Sequence, residues 1–359
     1  MRPTQAIISL NALGHNLSMI RQMAPKSKIM AVVKADGYGH GIVKVAKQLT
    51  EADSFAVACL EEAIQLREGE ITQPIVLLEG IFEASELELV ERYNLEMVIH
   101  SQRQLVWLED SASQYAHSVW LKLDSDMNRL GFTPEEYSAA YKHLSDMKNV
   151  ANIRLMTHFA CADDVTSDKT NDQLKLFHQL NKGIKGERTA ANSAGVLAWP
   201  ESHFDWVRPG IMLYGCSPLS GQAGAHHQLI PAMNLESQLI ATKKIEKGHT
   251  AGYGAQWTAD EDTMLGIVAI GYGDGYPRHA ENGTPVWING RIVPLAGRVS
   301  MDMIAVDLGA DATEKPGERV VLWGKELPVE IVARHSDTIP YTLLCGVTSR
   351  AKFRWSDES

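Results

Sequence analysis

The sequence predicts an α/β fold, an N-terminal (β/α)8 barrel of the TIM type followed by a C-terminal mostly-β domain. Three observations predict it. Starting with the apolar run that ends at Val33, eight short strand-like segments alternate with helical ones within about two hundred residues, the span such a barrel needs. Past Gly215 the alternation stops, and from about Pro231 short β-type runs separated by turn residues take over. A chain of 359 residues also exceeds one ordinary domain and accommodates a barrel plus a smaller companion. The expected division is 11–228 for the barrel and 229–359 for the β domain, with the strand in 1–10 joining the latter.

In order, Ala6–Leu10 reads as a short strand, and Leu13, Leu17, Ile20 and Met23 recur at helical spacing. Ile29–Val33 is apolar throughout, which suits a strand buried on both faces. Lys34 follows directly, then Gly37, Gly39 and Gly41 punctuate a loop carrying Tyr38 and His40, before a helix near Ile42–Leu49. Further strands are expected at Ser54–Val57, Pro74–Leu78, Glu96–Ile99, Ser118–Leu123, Asn152–Met156, Arg188–Ala191 and Phe204–Val207. Helices at Leu60–Arg67, Glu83–Arg92, Ser101–Glu109, Pro134–Leu144 and Asn171–Leu180 separate most of them, with a short one before Phe204.

In the second domain the runs are Leu235–Thr242, Thr263–Ile270, Thr284–Ile288, Ile292–Leu295, Met303–Asp307 and Arg319–Leu322. The ING stretch at 288–290 suits a hairpin with a two-residue turn. A helix at Val329–Ala333 and a last strand at Val347–Phe353 close the domain.

Composition removes several function classes. Net charge is −10 with no basic tract, which argues against a nucleic-acid partner. No segment approaches a membrane-spanning length, and MRPTQAIISLNALGH lacks the apolar core of a signal peptide, so a cytoplasmic protein is expected. Cys59, Cys161, Cys216 and Cys345 lie far apart without a CxxC pair, so neither a disulfide framework nor a metal site is suggested.

The barrel gives polar residues a place. Active sites of such barrels are built just beyond the C-terminal strand ends. Lys34, Glu79, His100, Lys122, His158, Asn192 with Ser193, and Arg208 stand there. From the residues alone Lys34 is either a strand-end lysine reaching for solvent or a Schiff-base lysine. The β domain carries AGYGAQW at 251–257, IGYGDGYPR at 270–278 and GRVSMDM at 297–303. Taken alone these are turns with half-buried Tyr253 and Tyr272, or parts of a site.

Together these stretches resemble the alanine racemase family, whose lysine motif AVVKADGYGHG resembles. LKLDSDMNRLG at 121–131, THFACADD at 157–164, AANSAG at 190–195 and DWVRPGIMLYG at 205–215 match further family motifs, as do the three β-domain stretches. The resemblance covers essentially the whole chain in order. It implies pyridoxal 5'-phosphate (PLP) as cofactor, an amino acid as substrate, and a homodimer with shared active sites. Lys34 would hold PLP and act as one catalytic base, with Tyr253 supplied from the partner subunit as the second. Tyr38, Ser193, Gly210 and Ile211 would bind the phosphate. Arg208 would face the pyridine nitrogen, oriented by His158. Arg129 would pair with the substrate carboxylate or the phenolic oxygen of PLP, the Met301 N–H would contact the carboxylate, and Lys122, as a carbamate, would fix Arg129. Asp163, Arg278, Arg298 and Tyr272 would line the access corridor.

The product, D-alanine, would feed peptidoglycan synthesis, or the enzyme would degrade it. A racemase that also accepts serine remains open. A PLP-dependent amino-acid decarboxylase has a related architecture but sets Glu where this chain has Arg208. A barrel-only PLP carrier and a lysine aldolase have no use for the second domain. The motifs also depart from the family. KADGYGHG replaces KANAYGHG, setting Asp36 and Gly37 beside the cofactor loop. DSDMNRLG replaces DTGM-x-RLG, setting Asp126 where a permissive backbone is needed and adding an anion near Arg129. Ser349 stands where some relatives carry Tyr.

Overall fold

The chain begins with a short strand, β1 (Gln5–Ser9), whose alternate residues Ala6 and Ile8 are buried, and continues into a helix at Leu10–Met23. The computed structural model describes residues 2–111 and 114–357. Eight strands follow: β2 (Lys28–Val32), β3 (Ser54–Val57), β4 (Ile75–Leu77), β5 (Glu96–Ile99), β6 (His117–Lys122), β7 (Val150–Met156), β8 (Arg188–Thr189) and β9 (Trp206–Val207). They pair in parallel and close into a barrel, β9 returning to β2 through Lys28↔Trp206 and Ile29↔Val207. Helices connect most of these strands, so both faces are covered and β3 and β4 are buried at every residue. The helix Pro134–Asp146 shows how locally determined these connections are. Thr133 accepts from the Glu136 N–H, Glu136 answers to the Thr133 N–H, and proline occupies the first turn.

Several charged residues inside the barrel strands are paired. Arg154 on β7 bonds Glu96 on β5 at 2.8 Å and Glu187 at 2.9 Å, and lies over the Trp120 ring. The Trp120 and Trp206 indoles donate to the same two carboxylates. This network ties β5, β6, β7 and β9 through groups that an apolar barrel would leave unsatisfied.

The remaining strands are β10 (Met233–Ile245), β11 (Thr250–Ala251), β12 (Trp257–Thr258), β13 (Thr263–Val268), β14 (Pro285–Ile288), β15 (Arg291–Pro294), β16 (Ile304–Asp307), β17 (Arg319–Trp323) and β18 (Lys352–Ser356). One sheet runs β15-β14-β17-β10-β1-β18, with β13 branching from β10 and β16 from β13. By contacts the chain divides into two units: 16–213 with 218–221, and 1–15, 214–217 and 222–359. β1 lies in the second, antiparallel to β10 and parallel to β18. Between β14 and β15, Asn289 and Gly290 both have positive φ, 48° and 85°, as a two-residue primed turn requires.

Several bounds differ from the sequence reading, as where Arg188–Ala191 is a strand only over Arg188–Thr189, and three differences have a visible reason. The last strand starts at Lys352, because Thr348 is drawn into a turn by bonds from its N–H and hydroxyl to the Asp274 and Gly273 carbonyls. The strand expected at Phe204–Val207 shrinks to two residues, since Phe204 sits at φ 45°. A helix at Pro340–Cys345, opened by proline, lies where no element was expected. Among the described residues no helix is long and apolar enough to cross a membrane.

Candidate active site

Lys34 is the second residue past the end of β2. The four residues after it, Ala35, Asp36, Gly37 and Tyr38, all lie at φ between 52° and 61°, forming one left-handed turn. Such backbone costs roughly 1–2 kcal/mol at each residue other than glycine, so the surroundings must hold it. They do so from both ends. The Ala35 N–H donates to Glu62 Oε1 at 2.7 Å, while Oε2 of the same carboxylate takes the Ala58 N–H beyond β3. Asp36 Oδ1 accepts from the Ile42 N–H at 2.8 Å, at the start of the next helix. His40, fully buried, donates from Nδ1 to the Tyr38 carbonyl at 2.9 Å. The charge of Asp36 is therefore spent on anchoring the turn. Glu62 was absent from the sequence reading, because nothing in LEEAIQLRE separates it from a solvated helix face.

Arg208 follows β9 and is buried. Its guanidinium donates to Thr189 Oγ1 at 2.6 Å, the Thr157 carbonyl at 2.7 Å, the Ala190 carbonyl at 3.1 Å and His158 Nδ1 at 3.2 Å. These partners come from the ends of β7 and β8, so the barrel sets the direction of the side chain. Burial lowers Arg208 to about 9, and it remains charged at neutral pH. Its Nε makes no hydrogen bond among the described residues and Nη1 makes only the one to Thr189, so N–H donors remain for an acceptor outside the chain. His158 is held well below its ordinary value by burial and by Arg208, Lys122, Arg129 and Lys34.

Lys122 ends β6 and is buried; burial, then Arg208 and Arg129, lower it to about 8. Arg129 is exposed and has no carboxylate partner among the described residues. It rides on the loop 124–131, which Asp124 organises by accepting from the N–H groups of Asp126, Met127 and Asn128 at 2.9–3.0 Å. Asp126 adopts φ 88°, the conformation expected of the glycine it replaces. Its carboxylate pairs with Lys169 and accepts from Asn128, so its charge is already engaged within the chain.

Tyr38, Ser193, Gly210 and Ile211 come together. A Cβ on Gly210 would stand 2.5 Å from the Tyr38 hydroxyl oxygen, so only glycine allows this approach. Ser193 Oγ accepts from the Gly210 N–H at 2.9 Å, which leaves the serine proton to donate elsewhere. The Ile211 N–H opens a 3-10 turn, Ile211–Tyr214, and is buried with no acceptor among the described residues. A tyrosine, a serine and an orphaned backbone donor at one place fit a phosphate group. With Lys34 and the spare Arg208 donor at the same barrel end, the residues fit PLP as a whole.

Asp163 is exposed on the loop after β7. Tyr253, Tyr272, Arg278, Arg298 and Met301 belong to the β unit. Tyr253 is 71% exposed, flanked by Gly252 and Gly254 at φ 74° and 75°. Tyr272 and Met301 are brought together: Tyr272 N–H donates to the Ser300 carbonyl at 3.0 Å, and Gly273 N–H to the Met301 carbonyl at 2.9 Å. Arg278 and Arg298 line one cavity of about 380 Å³ with Gln256 and His279.

A closed parallel barrel with a strand-end lysine, a cluster of donors suited to a phosphate and a buried arginine is the arrangement of a PLP-dependent barrel enzyme. Residues 8–218 match the model of the alanine racemase N-terminal domain and 232–355 that of the alanine racemase C-terminal domain, so the chain belongs to the alanine racemase family. It is 54% identical over 352 residues to the alanine racemase of Shewanella oneidensis, covering 98% of each. The biosynthetic alanine racemase from Pseudomonas aeruginosa superposes with a TM-score of 0.97 at 45% identity, covering 99% of this chain and 100% of that one. The alanine racemase from Acinetobacter baumannii gives 0.95 at 39%, with the same coverage.

Proposed function

We propose that this chain interconverts L- and D-alanine with two bases, Lys34 of one subunit and Tyr253 of the partner subunit, in a cytoplasmic homodimer. The observation that carries the reading over its nearest rival is Arg208, buried and pinned at four points where a PLP decarboxylase would set a carboxylate. Bound through Lys34, PLP supplies the electron sink that acidifies the substrate Cα–H. Racemisation then needs a proton taken from one face of Cα and returned to the other, so two acid–base groups on opposite faces suffice. Lys34, held rigidly by the left-handed turn, serves one face, and the exposed Tyr253 serves the other in the neighbouring subunit.

Arg208 would donate from its free Nε to the ring nitrogen. As a permanent cation it disfavours protonation there, which keeps charge at Cα and limits transamination. Tyr38, Ser193 and the Ile211 N–H would bind the phosphate; the Gly210 N–H supports Ser193. Arg129 and the Met301 N–H would hold the substrate carboxylate. Lys122 as a carbamate would provide Arg129 with the anion it lacks among the described residues. Asp163, Arg278, Arg298 and Tyr272 would form the access corridor.

The dimer reading is supported by the β unit, where Tyr253, Tyr272, Met301 and Met303 are each exposed and the last three lie on loops that backbone bonds join. The test is direct. Purified protein loaded with PLP is given L-alanine, and D-alanine is followed by D-amino-acid oxidase coupling, with L-serine in parallel. Failure of the loaded protein to form D-alanine overturns the proposal, and equal turnover of serine would replace alanine with a broader substrate class.

A further inference from the structure

The β unit contains a buried carboxylate that the mechanism above does not use. Asp274, in the IGYGDGYPR stretch, is fully buried. Its Oδ2 accepts from Arg2 Nη2 at 2.5 Å and from the Gly271 N–H at 2.9 Å, and its Oδ1 from Arg2 Nε at 3.1 Å. Arg350 Nε lies 3.4 Å from Oδ1. Two guanidiniums from opposite ends of the chain thus meet on one carboxylate. The topology explains how: β1 and β18 lie side by side in parallel with Gln5 opposite Lys352, so the residues just before each strand emerge together.

Both arginines reach further. Arg2 Nη2 donates to the Asp302 carbonyl at 2.6 Å, and Arg350 Nη2 donates to Asp302 Oδ1 at 2.6 Å. Asp274 and Asp302 sit on the two loops that the Tyr272–Ser300 and Gly273–Met301 backbone bonds join. Thr348 closes the arrangement from the C-terminal side, its hydroxyl on the Gly273 carbonyl at 2.8 Å and its N–H on the Asp274 carbonyl. Gly271 is obligatory here, since a side chain would run into the Ser300 and Met301 backbone. Tyr272 and Met301 are exposed at the tips and Asp274 is buried beneath them, while the Arg2, Arg350 and Asp302 side chains stay partly exposed.

We propose that the Arg2–Asp274–Arg350–Asp302 cluster is a positioning device that sets the Met301 backbone and the Tyr272 ring, and through them the affinity for the substrate carboxylate. The inference rests on the reading that the Met301 N–H contacts that carboxylate. A contact made equally before and during proton transfer contributes to KM and leaves kcat nearly untouched. The two guanidiniums act through the loops and never touch substrate, so none of the four is a catalytic residue.

The experiment uses the PLP-loaded full chain carrying Arg2→Gln, Arg350→Gln or Asp274→Asn, with Arg2→Lys as the conservative variant. Expected are a rise of about tenfold in KM for L-alanine in Arg2→Gln and Arg350→Gln, kcat within about threefold, and unchanged visible PLP absorbance. The inhibition constant of propionate, which has the carboxylate but no amine, should rise in step with KM. Limited proteolysis should cut more readily within 271–275 and 300–303. Arg2→Lys should recover part of the KM, because one ammonium can serve Asp274 but not also the Asp302 carbonyl. Should Asp274→Asn fail to fold, the partly exposed Arg2 variants carry the test alone. A lowered Tm with KM, kcat and propionate inhibition all at wild-type values assigns the cluster to stability and overturns the proposal. Wild-type protein that forms no D-alanine in the same assay, by contrast, overturns the reading beneath it.

Discussion

Arg208 donates to His158 Nδ1 at 3.2 Å. An arginine has no acceptor, so Nδ1 must offer its lone pair, and the one imidazole proton resides on Nε2. Burial and four nearby cations keep the ring neutral across the physiological range. In the unmodified chain the same four groups, Lys34, Lys122, Arg129 and Arg208, concentrate positive charge at this barrel end, with Asp124 partly offsetting it at Lys122. Such a site selects ligands that bring their own anions, here a cofactor phosphate and a substrate carboxylate.

Arg208→Glu tests the arginine in two ways. A carboxylate at that position would point at the Thr157 and Ala190 carbonyls, which accept from the guanidinium now, and the buried network would lose its donor. Breaking a buried charged network in this manner costs roughly 3–5 kcal/mol, so Tm should fall clearly. Transamination of PLP should rise relative to racemisation, because the ring nitrogen loses its cationic neighbour. The measurement is pyridoxamine phosphate formed per D-alanine formed. A variant with the wild-type ratio would count against Arg208 facing the ring.

Lys122 gives a pH-dependent outcome. Only the neutral amine reacts with CO2, and a lysine lowered to about 8 is neutral in a useful fraction at pH 8, where an ordinary lysine at about 10.4 is not. Carbamate occupancy should therefore increase as pH rises through about 8 at fixed dissolved CO2. NMR of protein equilibrated with 13C-bicarbonate should show one carbamate carbon that Lys122→Ala lacks. The same variant should bind alanine more weakly, since Arg129 then has no anion to hold it. No labelled carbon at any pH would remove the carbamate from the proposal.

His40 concerns stability. Burial lowers it from 6.5 to about 4. Between those values the unfolded chain carries the proton and the folded chain does not, so stability falls as pH drops from 6.5 to 4. The loss approaches about 3 kcal/mol. His40→Asn can still donate near the Tyr38 carbonyl but does not titrate. Wild type should therefore lose Tm more steeply than His40→Asn between pH 7 and 4.5, although the variant starts lower. Parallel curves would show that the folded protein accommodates the imidazolium.

The barrel was legible where strands are short, mostly apolar runs bounded by helical spacing, as Ser54–Val57 and Glu96–Ile99 show without a shifted residue. Polar residues just past those runs marked the rim, since a charged group after a doubly buried strand has few other reasons to be there. What stayed hidden were groups whose role exists only in three dimensions. Glu62 bridges two loops from an ordinary helix face, and Thr157 and Thr189 look like any strand threonine until Arg208 reaches them. Asp36 and Asp126 were visible as departures, yet sequence suggested charges loose in the site. The structure binds both into turn geometry, Asp36 to the Ile42 N–H and Asp126 to Lys169. The last strand starts later than the expected Val347 for a related reason: Thr348 satisfies the Asp274 loop, and no local pattern encodes a partner 74 positions away.

The shared site yields the most decisive outcome. Lys34 stands at a barrel strand end, while Tyr253 projects, 71% exposed, from a glycine-flanked turn of the other unit. If one site takes Lys34 from one subunit and Tyr253 from its partner, Lys34→Ala and Tyr253→Phe chains, each nearly inactive alone, should complement. In a mixed dimer one site combines both lesions, and the other inherits an intact lysine and an intact tyrosine. With random exchange half the dimers are mixed and each has one good site of two, so roughly a quarter of wild-type activity should return. A site contained in a single chain predicts no recovery, because every site then carries one lesion. The mixture is unfolded and refolded with PLP, subunit exchange is verified with a tag on one variant, and racemisation is compared with each variant treated alone. Exchange without recovered activity would refute the shared site, and recovery near one quarter would set the two bases on different subunits.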